Sequence, residues 1–307
     1  MKARAVRGVL LAGLLFLVVH VGAVSLAPTF EAAGYQTVED PQNPANSALY
    51  LGAILVVTAL MLAAFKYDFD WAVRLVIVGS SGMLSWYVFS VFLPGLAAVA
   101  AAGLVTVALL AYPEWYVIDA AGALMGAGAA GLFGISFGLL PAIVLLTVLA
   151  VYDAVSVYGT EHMLDLAEGV LDLNIPVVLV IPLEWSYSLL EEGSTEGATE
   201  VTDEDERDVF FIGLGDAVMP AVMAASAAFW SPAPAFGLPI VPAMGLPTLL
   251  AIVGTFVGLG VLLRMVLKGR PHAGLPLLNG GAIGGYLLGS VLAGVPLVRA
   301  LGVARYL

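Results

Sequence analysis

The chain alternates between long apolar runs and short breaks carrying polar, glycine or proline residues. A helix that crosses a bilayer needs about 20 mostly apolar residues. Nine runs approach or meet that length: Val6 to Leu26, Ser47 to Phe65, Trp71 to Leu93, Gly95 to Tyr112, Trp115 to Phe137, Leu139 to Thr160, Val209 to Trp230, Leu246 to Leu267 and Ala273 to Val298. Pro94-Gly95 and the stretch Gly138 to Pro141 mark tight turns between neighbouring spans. The first run follows Lys2, Arg4 and Arg7 as a signal peptide would, but it exceeds the usual h-region and reads as an uncleaved span.

Two stretches break the helical pattern. Ile175 to Leu183 is too short to span, and its β-branched residues between two prolines predict a short strand. Glu191 to Asp208 is acidic, lacks aliphatic periodicity and reads as a mobile loop. The expected fold is therefore all-α and integral to the membrane, with nine transmembrane helices and a small non-helical insert between the sixth and seventh. It divides into a six-helix part (1–172), the insert (173–208) and a three-helix part (209–307).

Composition supports that class. Hydrophobic residues make up 61% of the 307 and charged residues 11%, whereas soluble domains carry about 25% charged residues. The lipid bilayer is thus the main solvent. Cysteine is absent, which removes disulfides and thiolate chemistry, and His20, His162 and His272 lie far apart in sequence. No metal and no cofactor are expected. The net charge of −12 is concentrated in the acidic loop, and no basic stripe suggests a nucleic-acid partner. Of the basic residues, Lys2, Arg4, Arg7, Lys66, Arg74, Arg207, Arg264, Lys268 and Arg270 fall on one side of a nine-span layout, with only Arg299 and Arg305 on the other. The positive-inside rule then puts the N-terminus in the cytoplasm and the C-terminus outside.

An acidic residue deep in a span is costly and is a functional candidate by default. Asp153 lies within Leu145 to Tyr158, and Asp216 within Phe210 to Met219. Each falls about one and a half to two helical turns from the inner end of its run. Glu114 and Asp119 start the fifth run and read as interfacial, while Asn279 and the pairs Gly280-Gly281 and Gly284-Gly285 read as helix packing. Two carboxyls at matching depth can form a dyad that holds one proton between them. The ionised acid would take a proton from water while the neutral one polarises a scissile carbonyl. Gly213 and Gly215 leave the backbone ahead of Asp216 bare, for close approach of a helix or an extended substrate.

Tyr152-Asp153 on one span and Gly213-Leu214-Gly215-Asp216 on the next resemble the paired motifs of the presenilin and signal peptide peptidase family of intramembrane aspartyl proteases. A G-x-G-D match alone arises by chance in roughly one in seven sequences of this composition. The resemblance gains weight from span number, motif order and the hydrophilic loop between the motif spans. Before the last span the family has Pro-Ala-Leu; this chain has Ala273-Gly274-Leu275-Pro276, which departs at the first two positions.

The resemblance implies an aspartic endopeptidase of the cell membrane that cuts transmembrane-helix proteins, with Asp153 and Asp216 catalytic. It also implies that Gly274, Leu275 and Pro276 lie near the active site, where they are expected to form a short extended stretch. Tyr152 either orients the dyad or simply packs. A homo-oligomer is admitted. The alternatives are a proton-coupled transporter using the same aspartates and a prepilin-type peptidase.

Overall fold

The computed structural model describes residues 3–160, 176–192, 209–266 and 272–307. Most of the acidic stretch, from residue 193, and the segment with Asp165, Glu168 and Asp172 lie outside these residues. The described chain is mostly helical: α1 (Ala3–Ala32), α2 (Ala45–Lys66), α3 (Asp70–Phe92), α4 (Gly95–Ala111), α5 (Trp115–Ser136), α6 (Leu139–Val155), α7 (Leu214–Trp230), α8 (Leu246–Val266) and α9 (Leu275–Leu292). Seven of these are long and apolar enough to cross a membrane, α6 when counted with the turn that follows it to Tyr158, and the apolar α4 and α7 are shorter, at 17 residues each.

The sixth run is not one uniform helix. α6 ends at Val155 and widens into a single π-helical turn, Ser156–Thr160. Beyond it, β1 (Val178–Pro182) pairs antiparallel with β2 (Val209–Gly213), in a register that sets Leu179 opposite Ile212 and Ile181 opposite Phe210. The strand expected at 175–183 is present, but its partner belongs to the same chain.

That partner corrects the reading of the seventh run as helical from Val209. Its first five residues, Val-Phe-Phe-Ile-Gly, are a strand, and the helix begins only at Leu214. Short apolar runs rich in aromatic and β-branched residues do not declare strand or helix by periodicity; the neighbouring strand decides.

α5 is the central helix. Its small residues let others approach: Gly126 faces Leu214, Val218 and Val19, Gly131 faces α1 at Ala23 and Phe30, and Gly134 faces α7 at Ala225. Small residues serve this purpose in membranes, where backbone-close packing replaces the hydrophobic drive between helices. α8 and α9 meet in the same way. A Cβ at Gly254 would overlap the Gly281 carbonyl, and one at Gly285 would overlap the Leu250 carbonyl. Gly280 and Gly284 face open space instead, so only half of the glycine series on α9 is a packing face.

The two ends of the bundle are tied separately. At one end the start of α1 lies beside the strands, with Arg4 ion-paired to Glu184 and Gly8 against Leu183 and Phe210. At the other end the α1–α2 connection clasps the α5–α6 turn, where Gly138 N–H donates to the Pro41 carbonyl at 2.7 Å. It also holds the C-terminus, where Arg305 donates two hydrogen bonds to Asp40 at 3.1 and 3.2 Å. Arg305 holds the Asp40 carboxyl below the usual aspartate range.

Candidate active site

Asp153 sits two residues before the end of α6, and Asp216 in the first turn of α7. The C-terminal end of α6 and the N-terminal end of α7 thus carry the two acids, and a strand, not a helical turn, separates Asp216 from the acidic stretch. Asp153 is buried and Asp216 half-buried, and the two carboxyls are close enough to interact electrostatically.

The segment before α9 brings them together. Leu275 N–H donates to Asp153 Oδ2 at 3.0 Å. Gly274 lies against Asp216: a Cβ built there would stand 2.9 Å from both carboxyl oxygens. The first N–H groups of a helix have no partner within it, so a carboxylate at this end finds ready donors. Asn279, one turn further along α9, donates from Nδ2 to the Leu146 carbonyl at 3.0 Å and ties α9 to α6 in the apolar interior.

The expected extended stretch at 274–276 is not found. Gly274 has φ −80° and ψ −45°, which is helical geometry, and Pro276 occupies the first turn of α9. Proline favours this position because its missing N–H would be unpaired there anyway. The predicted proximity to the aspartates holds without the predicted conformation.

The other residues of the two motifs separate. Leu214 is buried against Gly122 and Gly126 of α5, and its N–H donates to the Val177 carbonyl at 2.7 Å, joining α7 to the strand pair. Gly213 leaves room beside Asp216, where an added Cβ would sit 3.7 Å from Oδ2, and Gly215 borders open space. Neither glycine receives another helix among the described residues. Tyr152 is exposed on α6.

Two acids read as interfacial have definite work. Asp119 is buried in α5, and its Oδ1 accepts from Val180 N–H at 2.7 Å. Glu114 caps α5 by accepting from Trp115 N–H, and it also accepts from Ser188 Oγ at 2.5 Å and from Leu189 N–H at 3.1 Å. Trp115 Nε1 adds a bond to the Tyr187 carbonyl at 3.1 Å. One end of α5 thus holds β1 and the residues after it. Spacing on α5 could place these acids on a common helix, but their partners lie more than 60 residues away, beyond any local signal.

A family model described as signal-peptide peptidase, presenilin aspartyl protease matches residues 13–295. Among solved structures, the chain is similar to one titled as a presenilin family intramembrane aspartate protease in space group C222. They share 33% identity and a TM-score of 0.64 over 92% of this chain and 99% of that one. A second, titled as a presenilin family intramembrane aspartate protease in space group P2, shares 34% identity and a TM-score of 0.58, over 91% and 96%. Among curated protein sequences, none matches significantly.

Proposed function

Since this chain belongs to the signal-peptide peptidase and presenilin family of aspartyl proteases, we propose that Asp153 and Asp216 are its catalytic pair. The activity of the family is intramembrane aspartic endoproteolysis. What carries the assignment to these residues is their meeting on one short segment, Asp153 at the Leu275 N–H and Asp216 at Gly274.

The chemistry follows from that closeness. A near pair of carboxyls holds one proton, because both cannot ionise side by side. The ionised member accepts a proton from water as it attacks the peptide carbonyl, and the protonated member donates to the carbonyl oxygen. The Leu275 N–H stabilises negative charge on Asp153, which favours Asp153 as the ionised member. Gly274, having no side chain, leaves Asp216 free to face the substrate.

The substrates are proteins with a transmembrane helix. Such a helix keeps its carbonyls hydrogen-bonded, so it must open before water can reach one. An extended substrate can be held by adding a strand to an open sheet edge. The Leu214 to Val177 bond turns residues 210, 212 and 214 toward β1, so Val209, Phe211 and Gly213 turn theirs away. The far edge of β1 is taken at Val180 by Asp119. The β2 edge, leading directly to Gly213 and Asp216, is the one we assign to substrate.

For topology we favour nine spans, with α4 and α7 as the two short ones. An odd number agrees with the first residues of α1 and the last residues of the chain being tied at opposite ends of the bundle. The excess of lysine and arginine puts the N-terminus in the cytoplasm and the C-terminus outside the cell membrane. Epitope tags at the two termini of intact cells, read by protease accessibility, test this; an N-terminal tag cut from outside overturns it.

The central test is cleavage of a labelled transmembrane peptide by the purified protein in detergent. Asp153→Ala and Asp216→Ala should each abolish turnover while the protein stays helical. Substantial turnover by either variant removes the assignment.

A further inference from the structure

The wide turn that ends α6 brings a third side chain to the segment touched by both aspartates. In a continuous α-helix a residue five positions after Asp153 is rotated about 140° away from it. A π-turn bonds residue i to i+5 and reduces that offset, and such turns recur at functional sites. The residue so placed here is Tyr158, within Ser156–Thr160. Its hydroxyl accepts from Ala273 N–H at 3.3 Å and lies 3.5 Å from His272 Nδ1.

Three consecutive residues are thus held from outside α9. Ala273 is bonded by Tyr158, Gly274 abuts Asp216, and Leu275 is bonded by Asp153. Tyr158 and Asp153 project from the same helix end, so the backbone between their two anchor points has little freedom. Without the first anchor, Ala273 loses its bond to Tyr158 and can rotate against Gly274, whose own carbonyl accepts from the Leu277 and Leu278 N–H groups. Rotation there would move the Leu275 N–H off Asp153 and the Gly274 Cα off Asp216. Tyr158 is 65% exposed, so the core does not depend on it.

We propose that Tyr158 is a positioning residue for the aspartate pair, acting through the backbone of Ala273 to Leu275. The inference rests on Asp153 and Asp216 being the catalytic groups. It assigns a role to the π-turn, which sets Tyr158 on the side of α6 that faces the start of α9.

Tyr158→Phe removes only the hydroxyl and is tested in the full-length protein. Losing one neutral hydrogen bond should lower kcat about 3- to 10-fold, with KM within about twofold because the substrate contacts remain. Hydrogen exchange of the amides at 273–275 should quicken, and the acidic limb of the kcat–pH profile should move, since the Leu275 donor on Asp153 is loosened. The melting temperature should not change. Tyr158→Leu should match Tyr158→Phe, because both lack the hydroxyl. Wild-type kcat and pH profile in Tyr158→Phe would overturn the proposal, as would quickened exchange with unchanged turnover. Asp153→Asn and Asp216→Asn run alongside. Turnover in either variant counts against the dyad, and unchanged exchange at 273–275 in Tyr158→Phe then counts separately against Tyr158.

Discussion

Gly274 lies so near Asp216 that a single methyl group on its Cα would stand 2.9 Å from each carboxyl oxygen. That separation is shorter than a carbon and an oxygen tolerate without movement. The side chain of Asp216 can rotate to relieve it, but rotation takes the carboxyl away from Asp153. Gly274→Ala should therefore reduce turnover moderately, and the β-branched Gly274→Val should reduce it more than about tenfold, both without loss of expression or of melting temperature. Steady-state cleavage beside thermal unfolding checks this. Normal turnover by Gly274→Val would mean that Asp216 works in another rotamer.

Asp119 is predicted to anchor the strand pair through its bond to Val180. Asp119→Asn keeps an oxygen acceptor at that point and should be close to wild type. Asp119→Ala leaves the Val180 N–H unpaired in a buried place, at a cost of about 1–3 kcal/mol. Because β1 supports β2, Asp119→Ala should also raise KM. A variant series in which Asn is worse than Ala would argue that the charge, and not the acceptor, matters.

Glu114 gives a pH dependence whose sign is set by its surroundings. Burial pushes its carboxyl upward, but donors at Ser188, Leu189, Leu190 and Trp115 outweigh burial and hold it below the usual glutamate range. A carboxyl lowered in the folded state contributes stability above its unfolded value of about 4.3 and loses it as pH falls through the folded value. The docking of residues 187–190 on α5 should thus weaken in acid. Melting curves of the wild type and Glu114→Gln should differ at pH 7 and draw together as pH falls below the unfolded value of about 4.3. A difference that persists unchanged in acid contradicts the reading.

The β2 edge offers a direct probe of substrate pairing. Phe211 turns its N–H away from β1, so Phe211→Pro deletes a donor that no described residue accepts, at a position where edge strands tolerate proline. Cleavage should fall severalfold while the β1–β2 pair survives, as judged by exchange at Leu179 and Ile181. Unchanged cleavage would place the substrate on another surface.

Much of the protein was legible in its residues. Apolar runs marked the helices because lipid requires long stretches without charge. The two aspartates stood out for the converse reason, as acids inside such runs. Gly274-Leu275 was placed near them by its resemblance to a motif. The start of the seventh run was misread because Val209 to Ile212 suits a strand or a helix equally, and only a partner at Val178–Pro182 selects the strand. Asp119 and Glu114 looked interfacial because a carboxylate's position in sequence says nothing of which distant N–H it meets.

The sequence by itself determined that this chain lives in a membrane, where most of its helices fall and which acids lie inside apolar runs, because these depend on residue type and local spacing. Tertiary structure decided that Asp153 and Asp216 converge on the start of α9, that Gly274 has no room for a side chain, and that the π-turn carries Tyr158 to Ala273. These depend on separations of a few ångströms between residues 58 to 122 positions apart. Packing of whole helices sets such separations, and no local pattern of residues encodes them.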